Sequence, residues 1–275
     1  MKKFALISFL SFIGCMTAGA QHIGVQLYSF RNQFKTDVKG TVETIKKMGI
    51  TEVEGGDSYG MTPEAFKKLL DDNGIKTISV GADFKQLSEN PQPIIDNAKF
   101  FGAKYIMCAW IPHDSKGFTI DDAKNAVAVF NKAGKLFTEN GLTFCYHAHG
   151  YEFLPYENGT LFDYLMQNLD PKYVSFEMDV FWMKQPGQDP VALMKKYSGR
   201  FKLLHLKDRK PGTPNSLDGR ADEESNVVLG TGDVGIAAVM KEAKKQRIQY
   251  CFIEDESSHP VEQIPQSLGY LRSLK

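Results

Sequence analysis

The chain carries no net charge: 33 Lys and Arg residues balance 33 Asp and Glu. Proteins that bind duplexes displace counterions with a broad basic field, and a neutral chain lacks one, so nucleic acid is not an expected partner. Cysteine is sparse, at four residues. Beyond Cys15, the remaining Cys108, Cys145 and Cys251 follow no zinc-type spacing, and their odd number forbids complete internal pairing. Each lies in an apolar run, where cysteine behaves as a small buried hydrophobe, so free buried thiols are expected. Long apolar runs are also missing. Past the first 20 residues no segment approaches the length of a membrane span. No linker or break in composition divides the remainder into domains.

The leading segment reads as an address rather than as fold. Met1-Lys2-Lys3 is a basic start, Phe4–Ile13 is an apolar run, and Ala18-Gly19-Ala20 is a small-x-small cleavage signal before Gln21. That is a bacterial secretory signal peptide over 1–20, with a mature domain over 21–275 and a periplasmic or secreted location. Cys15 after Gly14 supplies a weaker alternative, cleavage before the cysteine and a lipid anchor on it; Phe12 stands where such sites usually carry Leu.

From His22 onward one unit recurs. A short β-branched and aromatic run is followed by a helix-period segment, a glycine, and the next run. Val38, Val42, Ile45 and Met48 share one helical face, stopped by Gly49, and Phe66, Leu69 and Leu70 form the next, stopped by Gly74. Similar faces end at Gly102 and Gly141. The spacing predicts strands over Ile23–Tyr28, Ile50–Glu54, Ile75–Val80, Ala103–Ala109, Leu142–His147, Tyr173–Met178, Phe201–Leu206 and Tyr250–Glu254. Strands alternating with helices at about 30-residue intervals imply parallel pairing with right-handed crossovers, and eight units close into a (β/α)₈ TIM barrel, a single-domain α/β fold. A doubly wound open sheet is the runner-up. The longest irregular stretch, Lys210–Val227, would cover the barrel mouth after strand seven.

In such a barrel the active site lies at the carboxyl ends of the strands. Four successive ends carry His147, Asp179, His205 and Glu254. Two imidazoles and two carboxylates suit a divalent ion such as Mn²⁺, Zn²⁺, Co²⁺ or Fe²⁺ better than Ca²⁺, which prefers oxygen alone. Singly, each residue has a plainer role, the His as a hydrogen-bonded barrel residue and the Asp as a helix cap. Their coincidence at one layer points to metal. His149 shares a face with His147 by period two and competes for the ligand place or carries a proton beside it; Glu177 shares the face of Asp179, and Lys207 that of His205. Tyr28, Glu54, Trp110 and Trp182 sit near strand ends and are candidate sugar contacts, aromatic faces stacking on C–H and carboxylates binding hydroxyls. Asp208 reads as a loop anchor. Gly230-x-Gly232-x-x-Gly235 matches a dinucleotide fingerprint, but it follows a polar loop in unit seven, so it reads as the turn into a helix.

H-A-H-G, F-E-M-D-V-F-W, F-K-L-L-H-L-K-D and F-I-E-D-E, in that order, resemble the motifs of the xylose-isomerase-like TIM-barrel superfamily, the sugar phosphate isomerases/epimerases, which also contains inosose dehydratases and endonuclease IV. The resemblance implies a divalent metal held from strands five to eight, commonly by Glu, Asp, His and Glu. Asp179, His205 and Glu254 match; His147 replaces the first Glu, and Trp182 stands where ketose epimerases often have His. The resemblance implies that Glu254 is acid/base as well as ligand. With the symmetric pair of glutamate bases lost, one base beside a metal-polarised ketone remains, with His149, Glu177 and Lys207 as candidates for second base, second shell and substrate-oxygen contact. The expected activity is a metal-dependent sugar isomerase or epimerase acting on a small carbohydrate. Alternatives are a 3-keto-glycoside lyase/hydratase, to which some secreted relatives are similar, and an inactive sugar-binding barrel. An endonuclease would need further His and Glu ligands in a chain with six histidines.

Overall fold

The structure is a computed structural model and describes residues 21–274. The expected leader over 1–20 and Cys15 lie outside the described residues. Eight strands pair in parallel into one closed barrel. They are β1 (His22–Gln26), β2 (Glu52–Glu54), β3 (Lys76–Gly81), β4 (Tyr105–Cys108), β5 (Thr143–His147), β6 (Val174–Asp179), β7 (Phe201–Leu206) and β8 (Tyr250–Ile253). β8 pairs with both β7 and β1, which closes the ring and excludes the open sheet. Among the described residues no helix is long and apolar enough to cross a membrane.

The helices that return the chain are α1 (Val38–Lys47), α2 (Pro63–Asp72), α3 (Gln92–Phe101), α4 (Ile120–Glu139), α5 (Leu161–Asn168), α6 (Pro190–Lys196), α7 (Ile236–Lys245) and α8 (Pro260–Ser273). Their ends follow local chemistry. Thr119 and Thr160 form capping boxes with Asp122 and Asp163 at the starts of α4 and α5, each satisfying helix N–H groups that have no partner inside the helix. The glycine stops take left-handed backbone, as at Gly102 after α3 with φ 72°.

The main core lies between strands and helices. A second, smaller cluster joins Ile78, Cys145, Leu203, Tyr250 and Phe252. Cys145, Leu203 and Phe252 each sit two residues before His147, His205 and Glu254, so by the period of a strand they occupy the same inward faces one layer lower. They form the apolar floor of the site. Gly24 makes room for that floor, because a Cβ there would meet the Phe252 ring at 2.8 Å. All three described cysteines are free and buried.

At β1 and β8 the strand ends early enough to leave a candidate site residue beyond it. β1 stops at Gln26 and turns into a 3-10 segment over Leu27–Phe30, which carries Tyr28 off the strand. β8 stops at Ile253, with Glu254 just beyond. After β7, Asp208–Arg209 pairs antiparallel with Asn226–Val227, so residues 210–225 form one excursion from a short ribbon. The excursion does cross the mouth. Ser216 N–H donates to the Gln185 carbonyl at 3.0 Å, and Gly219 packs so closely on Tyr151 and Trp110 that a Cβ would meet the Tyr151 ring at 2.7 Å.

Candidate metal centre

The barrel brings His147, Asp179, His205 and Glu254 together, each buried. His147 Nε2 lies 3.8 Å from Asp179 Oδ2, and His205 Nδ1 lies 3.9 Å from Asp179 Oδ2 and 3.3 Å from Glu254 Oε2. His147 Nε2, His205 Nδ1 and Asp179 Oδ2 are buried without a hydrogen-bond partner. Orphaned polar atoms of this kind are costly unless something else satisfies them. Donor atoms around one ion at about 2.0–2.2 Å stand roughly 3–3.5 Å from each other, only slightly closer than here. The donor set therefore fits a divalent ion of the borderline class.

The other nitrogens of the same imidazoles face downward. Glu177 Oε2 is 3.1 Å from His147 Nδ1 and 3.3 Å from His205 Nε2, and Glu54 Oε1 is 2.6 Å from His205 Nε2. One carboxylate oxygen thus serves both rings. Two buried carboxylates below engage the lower nitrogens and leave the upper ones turned to the cluster, the arrangement by which outer residues orient histidine ligands. The strand register skips a residue at both places, between Val53 and Glu54 and between Phe176 and Glu177. Such irregularities re-aim side chains, here the two carboxylates.

Asp179 divides its oxygens. Oδ1 accepts the Phe181 and Trp182 N–H groups at 2.8 and 3.2 Å and caps the short helix Val180–Lys184, and Oδ2 turns into the cluster. One oxygen makes the cap expected of a strand-end Asp, and the other is left free to serve a ligand role.

Burial pushes Asp179 up to about 7 and Glu177 well above the carboxylate range, the latter helped by the Glu54 charge. Burial likewise holds His147 well below the usual imidazole range, reinforced by His205. Burial opposes the charge on His205, but Glu177, Glu254 and Glu54 outweigh it and raise that imidazole. Burial would raise Glu254 too, yet Lys207 and His205 hold it low.

Around this centre stand the remaining candidates. His149 stacks on His147 at 4.7 Å, with Trp182 at 5.1 Å and Trp110 at 5.8 Å. Its Nδ1 has no partner, and burial, with Lys207 nearby, lowers it to about 4, so the ring is neutral. Lys207 is fully buried; its ammonium reaches Glu254 at 3.4 Å and Glu256 more closely, over the rings of Phe181 and Trp182. Trp182 is buried in the wall. Trp110 is 40% exposed at the rim, and Tyr28 is 50% exposed with Arg31 over its ring rather than facing the cluster.

Glu54 lies deeper than its expected place. Expected at the mouth as a sugar contact, it is wholly buried beneath the histidines, where Oε1 accepts from Gln26 Nε2 at 2.7 Å. The fingerprint-like glycines also have an occupant: Asp208 Oδ2 accepts the N–H groups of Gly230 and Gly232 at 2.8 and 3.0 Å, and Oδ1 that of Val234 at 3.2 Å. The donors that would cradle a phosphate already hold the chain's own carboxylate, and Asp208 is the loop anchor expected of it. Glu256 and Gln26 escaped the sequence reading. The first shares the face of Glu254 by period two, a usable signal; the second lies inside a strand-like run and offered none.

A family model for the xylose isomerase-like TIM barrel matches residues 42–274, most of the chain. The chain belongs to the xylose isomerase-like TIM barrel family. Inosose dehydratase 2 of Bacillus cereus is 27% identical over 179 residues, 58% of this chain and 59% of the relative, so the chain spans under two thirds of the curated relatives it matches. A sugar phosphate isomerase/epimerase from Parabacteroides distasonis superposes with a TM-score of 0.77 at 25% identity, covering 92% of this chain and 98% of that one. An IolI protein with a binding zinc atom shares the fold at a TM-score of 0.70 and 13% identity, covering 92% and 98%.

Proposed function

We propose that the chain is a divalent-metal enzyme of the sugar isomerase/epimerase type, which removes a proton from the carbon beside the carbonyl of a keto-sugar. The convergence of orphaned donors from His147, Asp179 and His205, with Glu254 alongside, carries this reading. A bound ion, with Mn²⁺, Zn²⁺, Co²⁺ and Fe²⁺ all suited to the donors, would polarise the ketone. His149 takes the proton, because its Nδ1 is open and it stacks on His147 beside the centre. Lys207, charged beside Glu254 and Glu256 just beyond the end of β7, steadies the developing oxygen charge, and the proton held on His149 is the one returned. Glu254 shares the work as ligand and acid/base, and Trp182 and Trp110 pack on the sugar. With His147 at the β5 position, where the family resemblance implies a second glutamate base, proton removal is from one face.

Loss of a β-substituent after the same proton removal is the second reading, a dehydratase or keto-glycoside lyase. The similarity to inosose dehydratases favours it. A periplasmic or secreted setting through the leader over 1–20 completes the proposal; the N-terminal mass of exported protein tests it, Gln21 or lipidated Cys15 being the alternatives.

The metal-loaded protein should be incubated in D₂O with a ketohexose, an inosose and a 3-keto-glycoside, and followed by NMR. Deuterium at the carbon beside the carbonyl is expected, with an epimer, water loss or aglycone release separating the two readings. Absence of exchange from all three, or turnover that survives complete removal of metal, rejects the proposal.

A further inference from the structure

His149 stands beyond the end of β5, where strand pairing no longer fixes its backbone. What fixes it is Glu152, whose side chain is wholly buried. Its two oxygens each lie 3.2 Å from the His149 N–H. The same carboxyl group accepts the hydroxyl of Tyr146, a buried residue of β5. The Tyr146 hydroxyl is 3.2 Å from that of Tyr151, and the Tyr151 oxygen accepts the Ile111 N–H at 2.9 Å. With the Tyr146 proton directed to Glu152, the proton shared between the hydroxyls is that of Tyr151. One chain therefore runs from the backbone beside Trp110, through two tyrosines and a carboxyl group, to the backbone of His149. The Trp110 ring closes the circuit, 4.9 Å from Tyr151 and 5.8 Å from His149.

A loop N–H can be satisfied by a neutral acceptor at little cost. Here a carboxyl group does it with no Lys, Arg or His side chain among its hydrogen-bond partners, and burial pushes it up to about 7. Burying such a group is expensive unless every oxygen is engaged, as here. The expense falls where two loops that follow different strands must agree on one geometry.

We propose that Glu152 is a positioning residue: through this hydrogen-bonded chain it sets the His149 imidazole and the Trp110 ring in the mutual arrangement that the substrate meets. The assignment rests on the reading of His149 as proton acceptor only for its effect on turnover.

Three variants test it. Glu152→Ala removes the acceptor. Glu152→Gln keeps an oxygen for the His149 N–H and an amide N–H for the Tyr146 oxygen. Tyr146→Phe cuts the chain in the middle while leaving Glu152 on His149, and it covers the case in which Glu152→Ala does not fold. Zinc affinity, by competition with a chromophoric chelator, reports the metal-type cluster. Acrylamide quenching in a Trp182→Phe background reports Trp110 alone, since the chain has 2 tryptophans. kcat and KM for deuterium exchange into a ketohexose report the chemistry.

Glu152→Ala should leave zinc affinity unchanged, expose Trp110 to acrylamide, and lower kcat about ten- to a hundredfold, the usual cost of a misplaced group. Glu152→Gln should restore most of both. Tyr146→Phe should expose Trp110 and raise KM with a smaller effect on kcat. Wild-type quenching in both Glu152→Ala and Tyr146→Phe overturns the proposal, and so does zinc affinity that falls in step with kcat. If the wild type exchanges no ketohexose, the functional reading fails alone; quenching, with hydrogen exchange at the His149 amide, still decides the positioning role.

Discussion

Asp179 shows how much one side chain carries here. One oxygen caps Val180–Lys184, and the other has no partner except the cluster. Asn retains a capping oxygen, and Asn and Asp cap helices equally well. Asp179→Asn should therefore leave the thermal midpoint nearly unchanged while zinc affinity falls by more than the roughly 10- to 100-fold that an outer-residue change costs. Asp179→Ala should add a loss of about 1 kcal/mol in urea unfolding as the cap goes. Glu177 makes the complementary case, since one of its oxygens serves both imidazoles. Glu177→Gln should weaken zinc binding about 10- to 100-fold without removing any donor atom from the ion. A variant with unchanged affinity would show that the lower carboxylates do not orient the rings.

The segment from β7 to α7 is the element most dependent on a single group. Asp208 lies at the root of the excursion over 210–225 and gathers three N–H groups from the glycine-rich turn. Gly232 is required there because a Cβ would run into that carboxylate. Asp208→Ala leaves those donors buried and unmet and should cost roughly 2–4 kcal/mol by urea unfolding, with hydrogen exchange rising first in residues 208–234. The far end of the excursion rests on Tyr151 and Trp110. Its root is tied elsewhere, through Arg31, which bonds Glu223 at 2.7 Å and the Glu256 carbonyl at 2.7 Å. The loop that covers the mouth thus bridges the walls on which Lys207 and His149 stand.

For the molecule as a whole, the barrel interior is layered: an apolar floor, two carboxylates, then the donor set. Ionisable groups concentrated in a dry interior make stability depend on pH. Burial raises Glu152 from the ordinary carboxyl range to about 7. Between about 4.5 and 7 the folded chain then holds a proton that the unfolded chain has lost, so this group makes stability fall as pH rises through the window. Glu152→Gln has no proton to lose. Its urea midpoint relative to wild type should climb between pH 4.5 and 7.5 and level off above; a difference independent of pH would contradict the raised carboxyl. Metal should act in the opposite sense, because an ion that binds only the folded barrel stabilises it by about 4 kcal/mol at a thousand times its Kd. Stripping with a chelator should lower the thermal midpoint, and zinc should restore it.

The barrel was readable in the chain because its evidence is local and repeated. Helix faces such as Val38, Val42 and Ile45, and stops such as Gly102, report their state within a few residues, and eight such units have one way to close. His147, Asp179, His205 and Glu254 were readable for a related reason: closure puts strand ends in one ring, so position along a strand predicts company. The depth of Glu54 was not readable because it depends on where a short strand ends and how its register skips beside β3, neither of which is encoded within β2 itself. The division of labour between the two faces of each imidazole, and the joining of Ile111, Tyr151, Tyr146, Glu152 and His149, depend on groups that approach across different strands and loops. Pattern along a chain records which face a residue occupies; which atom of that residue meets which partner is set by packing in three dimensions.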